Sequence, residues 1–330
     1  MIECIFTLDY EIYGNGEGRL ADLVYGPTEG LCQVFRKHRA RFVPFVEAAE
    51  LEIIESRGTD PGSAAVRKQI RSLYDDGCIP ALHLHPQWYN AEYTDGRWVL
   101  DYAEYNLCTL SRERIRHIID RSIDYLRDVL SAADFSPLSF RAGNWLFQPT
   151  RTAAEVLAAR GVMIDSSVFK GGVRHEHQLD YRQALKNGYY WRFGDHVDRP
   201  DAGGRLLELP IYAKMTPFWK MTSSKRIGME RRSVAAASTP AKKYYRIRDV
   251  MRFWHPLKFD FCRMTLDELT RMLDAVIQED RMDPEGFRPL VAIGHSKELS
   301  DLPTIDAFLA YLAARKIPVS TFEDVYQKCA

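Results

Sequence analysis

The sequence has no excess of charge of either sign, with Lys+Arg and Asp+Glu both at 45. That balance argues against broad electrostatic binding to nucleic acid or to an anionic membrane. Long hydrophobic runs are also missing. No window reaches 18 uninterrupted apolar residues, so no transmembrane helix is expected. Cysteines are few and scattered: Cys4, Cys32, Cys78, Cys108, Cys262 and Cys329, with no C-x-x-C pair. This argues against a cysteine nucleophile or a structural zinc knuckle and predicts free, buried thiols in a reducing compartment. The opening residues Met1 to Leu8 carry no basic stretch, and their apolar run is too short for a secretion signal. A cytoplasmic location is therefore expected. There is no internal repeat at a fixed period.

What is present is an alternation of short apolar runs with amphipathic stretches. Strands are predicted at 2–8, 41–46, 79–85, 138–142, 162–169, 205–213, 290–294 and 318–321. Helices are predicted at 28–38, 63–75, 111–130, 150–160, 265–278 and 303–314. Ser111 caps one helix, and Thr265 with Glu268 forms a capping box on another. Strands that are nearly all apolar, alternating with helices, imply a parallel sheet covered on its faces and closed toward a barrel. The whole chain reads as one catalytic domain. Segment 216–261 fits this pattern least. It is rich in Arg and Lys and holds the run Ala235-Ala236-Ala237-Ser238-Thr239-Pro240. It reads as an insertion: a solvated basic face, or a lid that meets an anionic group such as a diphosphate.

In barrels of this kind chemistry sits at the carboxyl ends of the strands. The first strand ends in Thr7-Leu8-Asp9-Tyr10-Glu11, which puts Asp9 and Glu11 on one side. The third ends in Leu82-His83-Leu84-His85-Pro86, which puts His83 and His85 on one side. Two imidazoles and a carboxylate make a donor set for a divalent metal, with coordination positions left for water and substrate. Arg141, at the end of another strand, is suited to orienting a carboxylate. Asp165 is a candidate to brace Arg141 or the base. His295, after the apolar run 290–294, is a candidate general acid. Aromatic residues make up 12% of the chain, and Trp145 and Trp88, with Asn144, are candidate walls for a sugar ring.

Taken in order, these segments resemble the NodB-type polysaccharide deacetylases. Thr7-Leu8-Asp9-Tyr10 is similar to that family's Thr-Phe-Asp-Asp motif. His83 onward is similar to its histidine motif, Arg141-Ala142-Gly143-Asn144-Trp145 to its arginine motif, Asp165-Ser166-Ser167 to its fourth and His295 to its fifth. The resemblance implies a distorted (β/α)7-type barrel with an inserted segment. It also implies a metal-dependent deacetylase using zinc, or cobalt, nickel or manganese. Asp9 would be the base and His295 the acid, with Arg141 and Asp165 in support. The substrate would be an N- or O-acyl sugar, possibly nucleotide- or lipid-linked, in O-antigen or capsule assembly. Two positions depart from the family. Tyr10 stands where a metal-binding Asp is expected, so Glu11 must supply that ligand. Gln87 stands where the second histidine is expected, so His85 must replace it. These departures keep a sugar-binding pseudo-enzyme in view, and a glycoside hydrolase on the related barrel, using Asp9 with Asp165, is a second rival.

Overall fold

A computed structural model of the protein describes residues 1–186, 189–217, 219 and 253–329. Its centre is a nine-stranded sheet. The strands are β1 (Ile2–Tyr10), β2 (Val43–Glu47), β3 (Ala81–Leu84), β4 (Ser139–Ala142), β5 (Ile164–Asp165), β6 (Trp191–Phe193), β7 (Leu206–Glu208), β8 (Arg288–His295) and β9 (Val319–Ser320). Spatial order is β6-β7-β5-β4-β3-β2-β1-β8, with β9 alongside the amino-terminal part of β1. Every pairing is parallel except β6 with β7. The sheet curls into a half-barrel. Isolated bridges from Ile211 to Phe169 and to Val291 stitch across its gap.

The helices that cover the sheet are α1 (Gly26–Lys37), α2 (Ala48–Arg57), α3 (Ser63–Asp75), α4 (Arg112–Leu130), α5 (Arg151–Ala158), α6 (Leu266–Met282), α7 (Leu302–Ala314) and α8 (Phe322–Cys329). The predicted caps are in place: Ser111 accepts from Arg114 N, and Thr265 and Glu268 form the reciprocal capping box. All six cysteines are free and buried. No helix among the described residues is long and apolar enough to cross a membrane. Helices α2 and α8 are absent from the expectations above. The α2 sequence Ala48-Ala49-Glu50-Leu51 is buried from its first turn and reads as a continuation of the strand before it.

Strand alternation divides the core into two layers. Ile5, Val43, Phe45, Ala81, Ile164, Leu207 and Val291 point inward and fill the bottom of the barrel. The other face of the same strands, with Phe6, Leu8, Leu82 and Phe140, packs against helices. Continuing inward up β1 leads from Ile5 to Thr7, Asp9 and Glu11. Up β3 it leads from Ala81 to His83 and His85. The barrel is therefore greasy below and polar at the carboxyl ends of its strands.

The basic stretch of the expected 216–261 insertion falls mainly on 220–252, outside the described residues. Its roots are described: Ala213–Pro217 pairs antiparallel with Trp254–Lys258.

Candidate metal centre and catalytic cleft

Glu11, His83 and His85 meet at the top of the barrel, all buried. His83 Nε2 lies 3.5 Å, and His85 Nε2 3.1 Å, from Glu11 Oε2. Ligand atoms sharing a tetrahedral zinc at about 2.0–2.1 Å stand roughly 3.4 Å apart. Glu11 Oε2 is buried without a hydrogen-bond partner of good geometry. The donors present thus fit a divalent cation. His83 Nδ1 is 2.9 Å from the Arg141 carbonyl, which places the proton on Nδ1 and turns the Nε2 lone pair toward Glu11.

Gln87 proves to stand behind His85. Its Nε2 is 3.4 Å from His85 Nδ1, while its Oε1 is buried without a partner. A half-turn of that amide aims Oε1 at Nδ1, puts the imidazole proton there and frees Nε2. The Asn144 amide also packs against this Nδ1, with Nδ2 3.2 Å away, and the same half-turn lets its oxygen accept from Nδ1. Gly143 is required here, because a Cβ would stand 2.5 Å from the Leu84 carbonyl and 2.8 Å from the His85 ring. Tyr10 points to the opposite face, where its hydroxyl donates to Gln69 at 2.7 Å.

Lys297 follows β8, and its Nζ donates to Glu11 Oε1 at 2.7 Å. Burial opposes ionisation of Glu11. Lys297 first, then the two histidines, outweigh it and hold the carboxyl well below its usual range. Behind this cluster lie two more buried acids that the sequence did not flag. Glu47 accepts from His85 N at 2.9 Å, and Glu50 accepts from Ile12 N at 2.7 Å. Burial, with Glu50 beside it, raises Glu47 far above normal; burial and Glu11 push Glu50 up to about 8. A carboxyl whose folded pKa is raised stabilises the fold fully below its unfolded value near 4.5 and loses that contribution as pH climbs through about 8. Glu50→Gln in chelator-treated protein is therefore expected to match wild type in melting temperature near pH 5. It should exceed it by several degrees above pH 8, an advantage on the order of a few kcal/mol. A gap that does not widen with pH would refute this.

Asp9 and Arg141 form the second half of the site. Arg141 is wholly buried, and its Nη1 donates to Asp9 Oδ1 at 2.5 Å. Nε donates to the Ser166 carbonyl at 2.9 Å, and Nη2 to Thr7 Oγ1 at 3.0 Å and Ser166 Oγ at 3.1 Å. The guanidinium also lies 4.0 Å over the Phe45 ring. Burial would raise Asp9; Arg141, with His83 and His295, overcomes it and holds the carboxyl below normal. On Asp9's other side, His295 Nε2 is 3.5 Å from Oδ2. The two residues are register partners on β1 and β8. His295 Nδ1 faces Glu298 Oε2 at 3.5 Å, and Glu298 is gripped by Arg263.

Two expectations need correction. Asp165 does not brace Arg141. It lies on the outward face of β5, bonded to Ser167 and paired in register with Glu208, and the inward position belongs to Ser166. Burial raises both Asp165 and Glu208, so the pair is an internal acid couple of the sheet. Asp9 and Asp165 thus face different layers and cannot flank one glycosidic bond. Trp88 is fully buried against Trp98, with centroids 5.2 Å apart, and has no face for a substrate. Trp145 does stand at the cleft, with φ of 60° following Asn144 at 55°, a left-handed pair that turns the indole toward His295.

No protein-family model matches the chain, and no curated protein sequence matches it. Solved structures do. A Mycobacterium smegmatis protein assigned as a polysaccharide deacetylase superposes with a TM-score of 0.53 at 14% identity, over 99% of this chain and 90% of that one. The fold is that of the polysaccharide deacetylases. A Pseudomonas aeruginosa protein with the same assignment gives 0.51 at 13% identity, over 99% of this chain and 90% of that one. Puue allantoinase gives 0.51 at 11% identity, over 99% and 89%. The polysaccharide deacetylase fold expected from the motifs is thus present among the described residues, at an identity where only the fold can be compared.

Proposed function

We propose that this protein is a metal-dependent deacetylase of an acylated sugar, with cell-surface polysaccharide assembly as its setting. The observation that carries the proposal is the convergence of Glu11, His83 and His85 on one point beside the register pair Asp9 and His295. A divalent cation bound by those three side chains supplies Lewis acidity toward the acyl oxygen; zinc suits a His₂-carboxylate set, with cobalt, nickel or manganese as alternatives. Asp9 takes the proton of the water that adds to the acyl carbon. His295 Nε2 gives a proton to the departing nitrogen or oxygen as the acyl bond breaks. Arg141 keeps Asp9 ionised and aimed inward, and the same contact limits its basicity. Glu298 turns the His295 ring by its approach to Nδ1.

Acetate release from N-acetylhexosamine substrates is expected to stop on chelation and return with added zinc. His295→Ala should reduce turnover by roughly 10²–10⁴. Release that ignores chelator would overturn the mechanism. One observation favours a sugar-binding protein without turnover: Lys297 already neutralises Glu11 and competes with a cation for it. Sugar binding indifferent to His83→Ala, with no acetate released, would establish that reading.

A further inference from the structure

Trp145 is edge-on to His295, with ring centroids 6.3 Å apart. Two cations flank it. Lys258 Nζ lies 3.3 Å from the Trp145 ring centroid and 4.9 Å from that of Phe169. Arg174 Cζ lies 5.4 Å from the Trp145 centroid. Separate segments deliver them: Lys258 ends the strand Trp254–Lys258, and Arg174 ends Val173–Arg174. Among the described residues, neither has a carboxylate at ion-pair distance and neither donates a hydrogen bond.

Three other described cations of the cleft differ. Arg141 is taken by Asp9, Lys297 by Glu11 and Arg263 by Glu298. Lys258 is half-buried, so it has given up water and gained only ring faces. Burial, together with the like charges of Arg263 and Arg174, pulls its amine down to about 7 even with Asp260 nearby. An ammonium so short of counter-charge gains when an anion arrives, and a second cation within reach of the same ring adds to that field.

We infer that the acylated sugar is an acidic one, whose anionic group, a carboxylate or a phosphate, is held by Lys258 and Arg174 beside Trp145. The inference rests on the cleft being a sugar deacylation site and names the class of sugar that enters it. The group lies on the leaving side of the proposed reaction, since the Trp145 ring stands edge-on to His295. A sugar acid or a sugar joined to phosphate satisfies the same chemistry.

The test is calorimetric binding to the purified full-length protein. The probes are N-acetylglucosamine, N-acetylglucosamine 1-phosphate and N-acetylglucosaminuronic acid. At least one charged probe is expected to bind about tenfold more tightly than the neutral one. That preference should shrink as salt rises from about 0.05 to 0.5 M. Lys258→Gln and Arg174→Gln should each lower the charged-to-neutral ratio several-fold, and the double variant should bring it near one. Arg174 is exposed, so its replacement tests the idea even if Lys258→Gln folds poorly. Preference for the phosphate alone, or for the uronate alone, supports the inference and identifies the source of the anion. Equal affinities, binding of no probe, or a preference that survives the double variant would overturn it. Acetate release is scored separately. Preference without release leaves this inference standing and removes the deacetylase; release without preference does the reverse.

Discussion

Replacing Arg141 with methionine is expected to cost about 3–5 kcal/mol of folding stability at neutral pH, and adding Asp9→Asn is expected to return most of it. The guanidinium is wholly buried and is the close counter-charge of Asp9, which is itself buried. Removing it alone leaves a buried carboxylate without its close counter-charge, with only His295 Nε2 at 3.5 Å beside it. The fold must then either hold that charge or protonate it. Asp9 is held below its normal pKa by Arg141, and in the single variant burial is left to push it upward. The loss should therefore be largest at neutral pH and shrink as pH falls and Asp9 takes up a proton. Asp9→Asn removes the charge and keeps the shape. The double variant should fold well and, under the proposed mechanism, release no acetate, since Asp9 is the proposed base. Urea unfolding of wild type, single and double variants at pH 7 and pH 5 measures all of this. A single variant as stable as the double at pH 7 would show that Asp9 is not the reason Arg141 is buried.

The second large effect is graded and concerns the metal. His83→Ala, His85→Ala and Glu11→Ala are each expected to reduce divalent metal affinity by more than about 100-fold, and Gln87→Ala by roughly 10–100-fold. The order follows from position. His83 and His85 offer Nε2 to the point shared with Glu11, whereas Gln87 reaches only the back of His85. Metal content of the purified variants and zinc titration into stripped protein give the ranking. If Gln87→Ala lost more affinity than His85→Ala, the ligand would be Gln87 and His85 its support. Glu11→Ala carries an added cost: Lys297 is buried against Glu11 and would lose its partner. Its stability must be measured alongside its metal affinity.

Much of this site could be read in the sequence because strands alternate. Two residues of separation on an apolar strand put His83 with His85 and Asp9 with Glu11, and the structure has both pairs facing inward. The same rule put Tyr10 outside, which is why Glu11 rather than Tyr10 faces the histidines. Reading failed where phase could not be fixed. Asp165 lies on a strand of two residues, too short for alternation to show, and is one position out of step with the inward Ser166. Trp88 failed for a different reason. It follows His85 through a short turn of 3₁₀ helix, so strand alternation no longer governs it. Glu47 ends β2 one residue beyond the expected strand, and Glu50 lies on α2, which the apolar pattern does not reveal. They matter only through contacts with His85 and Ile12, whose proximity is tertiary. Lys258 and Arg174 belong to the same class: no spacing rule connects them, and only the fold places both at Trp145.

The register of β1 with β8 has a consequence for how the protein is made. Asp9 and His295 are paired neighbours in the sheet, yet they come from opposite ends of the chain. Strand β1 is also flanked by β2 and β9, so it waits for partners both early and late in synthesis. A topology dominated by such long-range contacts folds slowly, because loop closure must come before the contacts reward it. On the ribosome the chain would carry an almost wholly apolar first strand with one edge open until β8 emerges. The β1 end of the sheet and the pairing of Asp9 with His295 are therefore completed late. Fragments lacking the last strands should not be weak enzymes but aggregation-prone chains with no site.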